Sequence, residues 1–213
     1  MIDNTRAKLL DAAGQLFATQ GFEATSIREI CDKAEANVAS VNYYFGDKQR
    51  LYIEAVSEAQ CARVEQVPMP EWAPGTPASQ RLRDFVRTFL RRLLWEERPA
   101  WHLELMLREL AHPTAACAHV VEDYIRPVAS ILEQIVAELL PPGTAQSDAY
   151  LVGFSVVGQC LFYHVHRPIA SQLMGAAEFN ALTIDRLADH ITDFTLAALG
   201  CRPPILGGTE ALR

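Results

Sequence analysis

The sequence predicts an all-α protein built in two parts. Apolar residues recur at spacings of three and four along most of the chain, and alternation of apolar with polar residues never persists long enough to mark a strand. Glycine and proline interrupt that pattern, and four prolines within residues 68–77 make one interruption too irregular to be helix. With 213 residues and 50% hydrophobic content, the chain holds enough apolar material for a substantial core.

The first helix is expected from about Asp3 to Thr19, because Leu9, Ala13, Leu16 and Phe17 share one face and Gly21 stops it. Phe22 anchors the loop that follows. A second, short helix opens at Thr25 or Ser26, where Ser26 and Glu29 have the spacing of a capping box, and it buries Ile27, Ile30 and Cys31 or Ala34. Asn37 is placed to cap a third helix of about two turns, Val38 to Phe45, which Gly46 ends. Asp47 caps a fourth, carried to about Glu65 by Leu51, Ile53, Ala55 and Val56.

Beyond the proline cluster the helical theme resumes over Ser79 to Trp95 or Glu96, then Ala100 to Ala111. Thr114 to Leu140 reads as one long stretch that Pro127 must kink or split. An uncharged helix, Asp148 to His166, ends at Pro168; a short turn at Ile169 to Met174 and an amphipathic helix from Asn180 to Leu199 complete the chain. The division expected is a DNA-binding part over 1–66 including the fourth helix, a linker over 67–77, a ligand-binding and dimerisation part over 78–202, and a mobile tail over 203–213.

Composition excludes several classes of function. The net charge of -7 argues against wholesale attraction to nucleic acid or an anionic membrane, so any such binding has to be local. Cys31, Cys61, Cys117, Cys160 and Cys201 are widely spaced and odd in number, which suits neither a disulfide framework nor a zinc finger. The opening residues mix acidic and basic groups in a helical pattern instead of forming a signal peptide, so the cytoplasm is the expected location. Residues 149–166 carry no Asp, Glu, Lys or Arg, yet Ser155, Gln159, His164 and His166 make a poor membrane span; burial inside a bundle or between subunits fits better.

No metal or cofactor is expected. His164 and His166 point about 200° apart on a helix and cannot readily share an ion. The chain has no glycine-rich phosphate loop, no Gly-x-Ser-x-Gly elbow and no recognisable carboxylate pair, so it does not read as an enzyme. A helical enzyme with an unmotivated His or Cys nucleophile, or a protein-binding adaptor, stands as the alternative.

Three short helices joined by brief turns within the first fifty residues match the helix-turn-helix plan. The third is informative because residues 37–46 include no charged group, whereas 21% of the chain is charged. A solvated surface helix normally carries Lys and Glu. Here Val38, Ala39 and Ser40 are small enough for the backbone to approach base edges, and Asn37 and Asn42 offer donors and acceptors. Tyr43 and Tyr44 bring hydroxyls within reach of phosphate, while Val41 and Phe45, four apart, turn inward.

The run Thr25-Ser26-Ile27-Arg28-Glu29-Ile30, followed by residues 34–52 with Val41-Asn42-Tyr43-Tyr44-Phe45-Gly46-Asp47-Lys48 at their centre, resembles the DNA-binding domain of the TetR/AcrR family of transcriptional regulators over about residues 5–56. The Val-Asn-Tyr-Tyr-Phe-Gly variant and the stretch Arg108 to Thr114 resemble the subgroup with a CerR/CecR-type C-terminal domain. The resemblance implies a phosphate contact from Thr25, alongside a simple capping role, and a major-groove helix presenting Asn37, Val38, Ala39 and Ser40. Asn42 stands where many relatives have tyrosine, so a shorter contact or none follows there. Tyr43 is implied to touch the sugar-phosphate backbone or to pack between helices; Tyr44 is left open, and Lys48 matches the family's phosphate-contacting lysine. Residues 1–56 hold six basic and eight acidic groups, which predicts few cationic contacts and a modest salt dependence.

The second part carries wide apolar faces that a monomer would leave uncovered, which points to a homodimer. Its interface is expected on the uncharged helix and the last helix, with Gly153, Val157, Leu161, Leu187, Ile191 and Phe194. A pocket for a small-molecule effector is suggested by Trp95, Trp101, His102, Met106, Phe154, Phe162 and Tyr163. Arg108 and Glu109 either line that cavity or link structurally to a neighbouring helix. The function expected is a ligand-responsive repressor that binds a palindromic operator as a dimer and is released by its effector.

Overall fold

The computed structural model describes residues 4–94 and 99–202. Trp95 and the tail over 203–213 lie outside the described residues, and so do the side chains of residues 61–65. The described residues form helices α1 (Asn4–Gln20), α2 (Ile27–Ala34), α3 (Val38–Tyr44), α4 (Lys48–Gln66), α5 (Ala78–Leu94), α6 (Ala100–Ala111), α7 (Ala116–Val120), α8 (Arg126–Leu139), α9 (Gln146–Val165), α10 (Arg167–Met174), α11 (Ala176–Asn180) and α12 (Ile184–Ala198). No strand occurs among them, as the periodicity predicts.

They pack as two compact units that do not follow chain order: Met1–Gln66 with Glu96–Pro127, and Val67–Trp95 with Val128–Arg213. In the first unit α6 packs against both α1 and α4. Gly14 makes that approach feasible, since a Cβ there would stand 2.3 Å from the ring of Trp101. Trp101 in turn donates its indole N–H to Asp11 at 2.9 Å. Leu9, Ala13, Phe17, Ile30, Val41, Leu51, Ala55 and Leu105 are all fully buried in this core. Periodicity marks the inward face of each helix, but it is silent on which helix lies opposite.

The second unit is built on α5, α9 and α12. Leu82, Phe85, Val86 and Leu90 of α5 and Ala188 and Ile191 of α12 form its buried seam. Arginines one turn apart on α5 pair with acids on α12 along the rim, Arg87 with Asp185 at 2.7 Å and Arg83 with Asp189 at 3.2 Å. Trp72 of the proline-rich segment donates to Asp84 at 3.2 Å, which ties that segment to α5.

Pro127 splits the long stretch expected over Thr114 to Leu140. α7 gives way to a π-helical turn over Val121–Ile125, and Pro127 becomes the second residue of α8. A proline lacks the N–H that would close the preceding turn, and the wider turn is one way to accommodate the loss. α11 is absent from the sequence expectation, and α12 starts four residues later than expected, at Ile184, where the Thr183 hydroxyl accepts from the Arg186 N–H at 3.1 Å.

Candidate nucleic-acid interface

The helix-turn-helix segment is fixed by a series of local bonds. The α2 capping box is complete: Ser26 N–H donates to the Glu29 carboxylate at 2.8 Å, and Glu29 N–H donates to the Ser26 hydroxyl at 3.2 Å. The Ser26 hydroxyl also donates to that carboxylate at 2.7 Å, and this bond, followed by the one from the Ser26 N–H, holds the Glu29 carboxyl below the usual carboxylate range. Glu35 closes α2 in the left-handed region at φ 53. The Asn37 side chain then accepts from the Ala39 N–H at 2.9 Å and starts α3, while Asp47 accepts from the Arg50 N–H at 2.8 Å and starts α4. Gly46, at φ 84, supplies the turn between them.

The result is a short helix with two unlike sides. Val41 is fully buried and Phe45 is 3% exposed, so the pair four residues apart anchors α3. The opposite side is open: Asn37, Ala39 and Asn42 are exposed, Val38 is 47% exposed and Tyr43 is 82% exposed. Ser40 is half-buried at the margin. Tyr44 is partly buried against the core, and its ring meets that of Tyr43 edge-on at 4.8 Å.

Two sites implied by the resemblance have partners within the protein. Thr25 is 1% exposed, and its hydroxyl donates to the Gly21 carbonyl at 2.8 Å. In this conformation the hydroxyl faces inward. Capping falls to Ser26, not Thr25. Lys48 lies with its ammonium 4.5 Å above the Phe22 ring and donates to the Glu23 carbonyl at 3.3 Å. The cation is oriented from the α4 N-terminus, not left as a free surface lysine.

α6 contributes residues that support this unit, and the expectation for them changes. Trp101, His102 and Met106 are buried at 4–6% exposure, with Met106 Sδ accepting from Gln60 at 2.9 Å. They form core packing and do not line the cavity found in this unit. Arg108 and Glu109 do not pair with each other. Arg108 donates to the carbonyls of Ala18 and Thr19 at 3.3 Å and of Gln20 at 3.0 Å, closing the C-terminus of α1. Glu109, fully buried, accepts from Tyr52 Oη at 2.6 Å and from Thr114 N–H at 2.8 Å. Burial, then that bond, pushes the Tyr52 phenol well above its ordinary range. A cavity of about 650 Å³ adjoins this network, lined by Phe22, Gln49, Tyr52, Arg108 and Thr114 among others.

In the second unit, α9 turns only Ala149, Val156 and Cys160 fully inward. Leu151 is 62% exposed, Phe154 67%, Phe162 43% and Val165 47%. The helix is therefore not buried within its own unit, and Phe154 and Phe162 stand on an open face; Tyr163, like Gly153, Val157 and Leu161, is half-buried. On α12, Phe194 is 52% exposed, but Leu187 and Ile191 are 5% and 0% exposed. Those two are buried within the unit, so Phe194 is the one of the three that α12 leaves open. Among the described residues no helix is long and apolar enough to cross a membrane, and no cluster of side chains could hold a metal ion.

Comparison with known proteins settles the family. Residues 9–55 match the bacterial regulatory proteins of the tetR family, and residues 78–199 match the C-terminal domain of the HTH-type transcriptional dual regulator CecR. The chain belongs to the TetR family, with a CecR-type C-terminal domain. It is therefore a helix-turn-helix transcriptional regulator.

The chain is 27% identical to the dual regulator CecR of Shigella flexneri over 172 residues, spanning 76% of this chain and 77% of that one. It is 30% identical to the transcriptional regulator AcrR of the same organism over 146 residues, 64% of this chain and 67% of that one. The 44% identity to the probable regulator YttP of Bacillus subtilis covers 55 residues, about a quarter of each chain (26% and 27%). Among solved structures, AibR in complex with isovaleryl coenzyme A and operator DNA superposes with a TM-score of 0.63 at 19% identity, covering 90% of this chain and 97% of that one. A TetR-like regulator from Rhodococcus sp. RHA1 gives 0.59 at 20%, covering 93% and 97%. At such identities these two show a shared fold.

Proposed function

We propose that the protein is a dimeric repressor that reads a palindromic operator with the exposed side of α3 and is released by a small-molecule effector. The observation that carries this reading is the two-sidedness of α3: Val41 and Phe45 are buried, while an uncharged face of small, amide and phenolic side chains stands open. On this reading Asn37, Val38, Ala39 and Ser40 face base edges, and Asn42, Tyr43 and Tyr44 lie toward the sugar-phosphate backbone. Asn37 has its Oδ1 taken by the Ala39 N–H, which leaves its amide N–H₂ to donate to a base. Lys48 and the Thr25 N–H hold phosphates. The domain division that goes with it is 1–66 for DNA and 78–202 for effector and partner.

A partner is supported by Leu151, Phe154, Phe162 and Val165 on α9 together with Phe194 on α12, large apolar side chains left in water by the single chain. Gly158 leaves the backbone of α9 open among them, with nothing within 4 Å of where a Cβ would stand, whereas Gly153 faces Leu132 of α8 inside the same unit. Effector control is supported by AibR, whose structure holds both an acyl coenzyme A and operator DNA. An effector acts by favouring a conformation in which the two α3 helices no longer match the half-sites, lowering operator affinity by that preference. The absence of catalytic motifs in the sequence agrees with regulation, and the cytoplasm is the fitting location.

Footprinting the DNA upstream of the protein's own gene tests the proposal. A protected stretch with two-fold symmetry is expected, and Lys48→Ala is expected to weaken binding to all sequences alike while lowering the salt slope by about 0.9 for each lost contact. Protection of no DNA would favour an adaptor, and catalytic turnover would favour an enzyme.

A further inference from the structure

We infer that Arg6 is a positioning residue for the recognition helix, and not one of its phosphate contacts. The inference rests on the DNA-reading role of α3 proposed above. α3 has only seven residues and two well-buried anchors, Val41 and Phe45. Phe45 closes the helix, with its N–H donating to the Val41 carbonyl at 2.9 Å, so wherever its ring settles the last turn of α3 must follow. Arg6, on the first turn of α1, places its guanidinium over that ring at 5.2 Å from the centroid. The same guanidinium is ion-paired with Glu54 of α4.

One side chain thereby touches the end of α3 and is fixed to α4 while belonging to α1. Two chemistries act together. The face of an aromatic ring attracts a cation, and the carboxylate prevents the guanidinium from swinging away from the ring toward solvent. The pairing also takes up a positive charge from a segment whose acidic groups already outnumber its basic ones. A guanidinium held by Glu54 gains less from a phosphate than an unpaired one, because the carboxylate has to be released first. An isolated exposed pair adds little to global stability, so the consequence of this arrangement is the seating of α3.

The test compares Arg6→Gln, Arg6→Lys and Glu54→Gln in the full chain, on the operator selected by the wild-type protein and on unrelated DNA, across a salt series well below the melting temperature. Arg6→Gln is expected to weaken operator binding by about tenfold for the dimer, leaving the salt slope and the affinity for unrelated DNA unchanged. Arg6→Lys, which keeps a cation over the ring, is expected to recover most of the loss. Glu54→Gln is expected to weaken operator binding about threefold, again at constant slope.

A phosphate contact predicts the reverse for Glu54→Gln: the released cation would tighten binding to every sequence, and Arg6→Gln would lower the slope by about two for the dimer. That result overturns the inference. So does a fall in melting temperature with operator affinity unchanged, which would mark a purely structural pair. If the wild-type protein selects no operator at all, the DNA-reading role fails and this inference falls with it; a normal wild-type result with insensitive variants overturns this inference alone.

Discussion

α3 and α9 are both charge-poor helices, and they present unlike surfaces. α3 has no charged residue in seven and exposes Val38, Ala39, Asn42 and Tyr43. α9 has one acid, Asp148, in twenty and exposes Leu151, Phe154, Phe162 and Val165. Lack of charge says in both cases that the helix is not an ordinary solvated one. The size and polarity of the open atoms then separate the two uses. Short amides and hydroxyls can exchange hydrogen bonds with base edges at close range. Large aliphatic and aromatic groups gain nothing from a nucleic acid and gain most from another apolar face.

The widest separation should come from substituting the two sides of α3. Phe45→Ala removes a buried anchor and is expected to cost about 3–5 kcal/mol of stability in urea denaturation. Tyr43→Ala on the open side should stay within about 0.5 kcal/mol while impairing DNA binding. Equal costs would show that α3 has no free face. Next in size, Phe154→Glu on α9 is expected to convert the proposed dimer to monomers in sedimentation equilibrium and to reduce operator affinity about a hundredfold, since on that proposal a lone chain holds one half-site. A dimer that persists would place the interface elsewhere.

Smaller and more specific effects are expected from Asn37→Asp and Ser40→Ala. Aspartate retains the cap to the Ala39 N–H but replaces the amide donor, so α3 stays folded and the preferred base changes. Each substitution should alter discrimination at one position per half-site by about 1–3 kcal/mol, read from competition with singly altered operators.

The smallest effect near neutrality concerns the inward edge of α9. Burial pushes the Cys160 thiol up to about 12 from an ordinary 9.0. A group raised in the folded state stabilises it fully below its unfolded value, and that contribution drains away as pH climbs toward the folded one. Stability should therefore fall between about pH 9 and 12, and Cys160→Ala should flatten that part of the curve relative to the parent. An unchanged alkaline profile would show that Cys160 is not shielded as placed. Tyr52, raised through burial and Glu109, adds a loss of the same sign from its ordinary value near 10.0 upward.

Much of the DNA-binding segment was legible because its determinants are local. Ser26 with Glu29, Asn37 and Asp47 act on groups two or three residues away, and Val41 with Phe45 is one helical turn, so spacing alone locates them. Residues whose roles depend on distant partners were not legible. Nothing in the local pattern shows that Gly14 makes room for Trp101, that Tyr52 reaches Glu109 across 57 positions, or that Arg108 closes the far end of α1. The same limit explains Leu187 and Ile191: amphipathic spacing marks one side of α12 as apolar, and only packing shows that these two are covered within the unit itself. Arg6 is one of the six basic groups in residues 1–56, and nothing in the sequence shows that Glu54 and Phe45 hold it.

Selection of bound fragments from random DNA, run in parallel with the wild-type protein and Asn37→Asp, tests the reading role of α3 most directly. A two-fold symmetric sequence is expected, its half-sites centred about 34 Å apart or at a multiple of that distance, with the variant enriching the same frame and a changed base at one position in each half. Enrichment of an identical sequence by both proteins, or of none by the wild type, would contradict it.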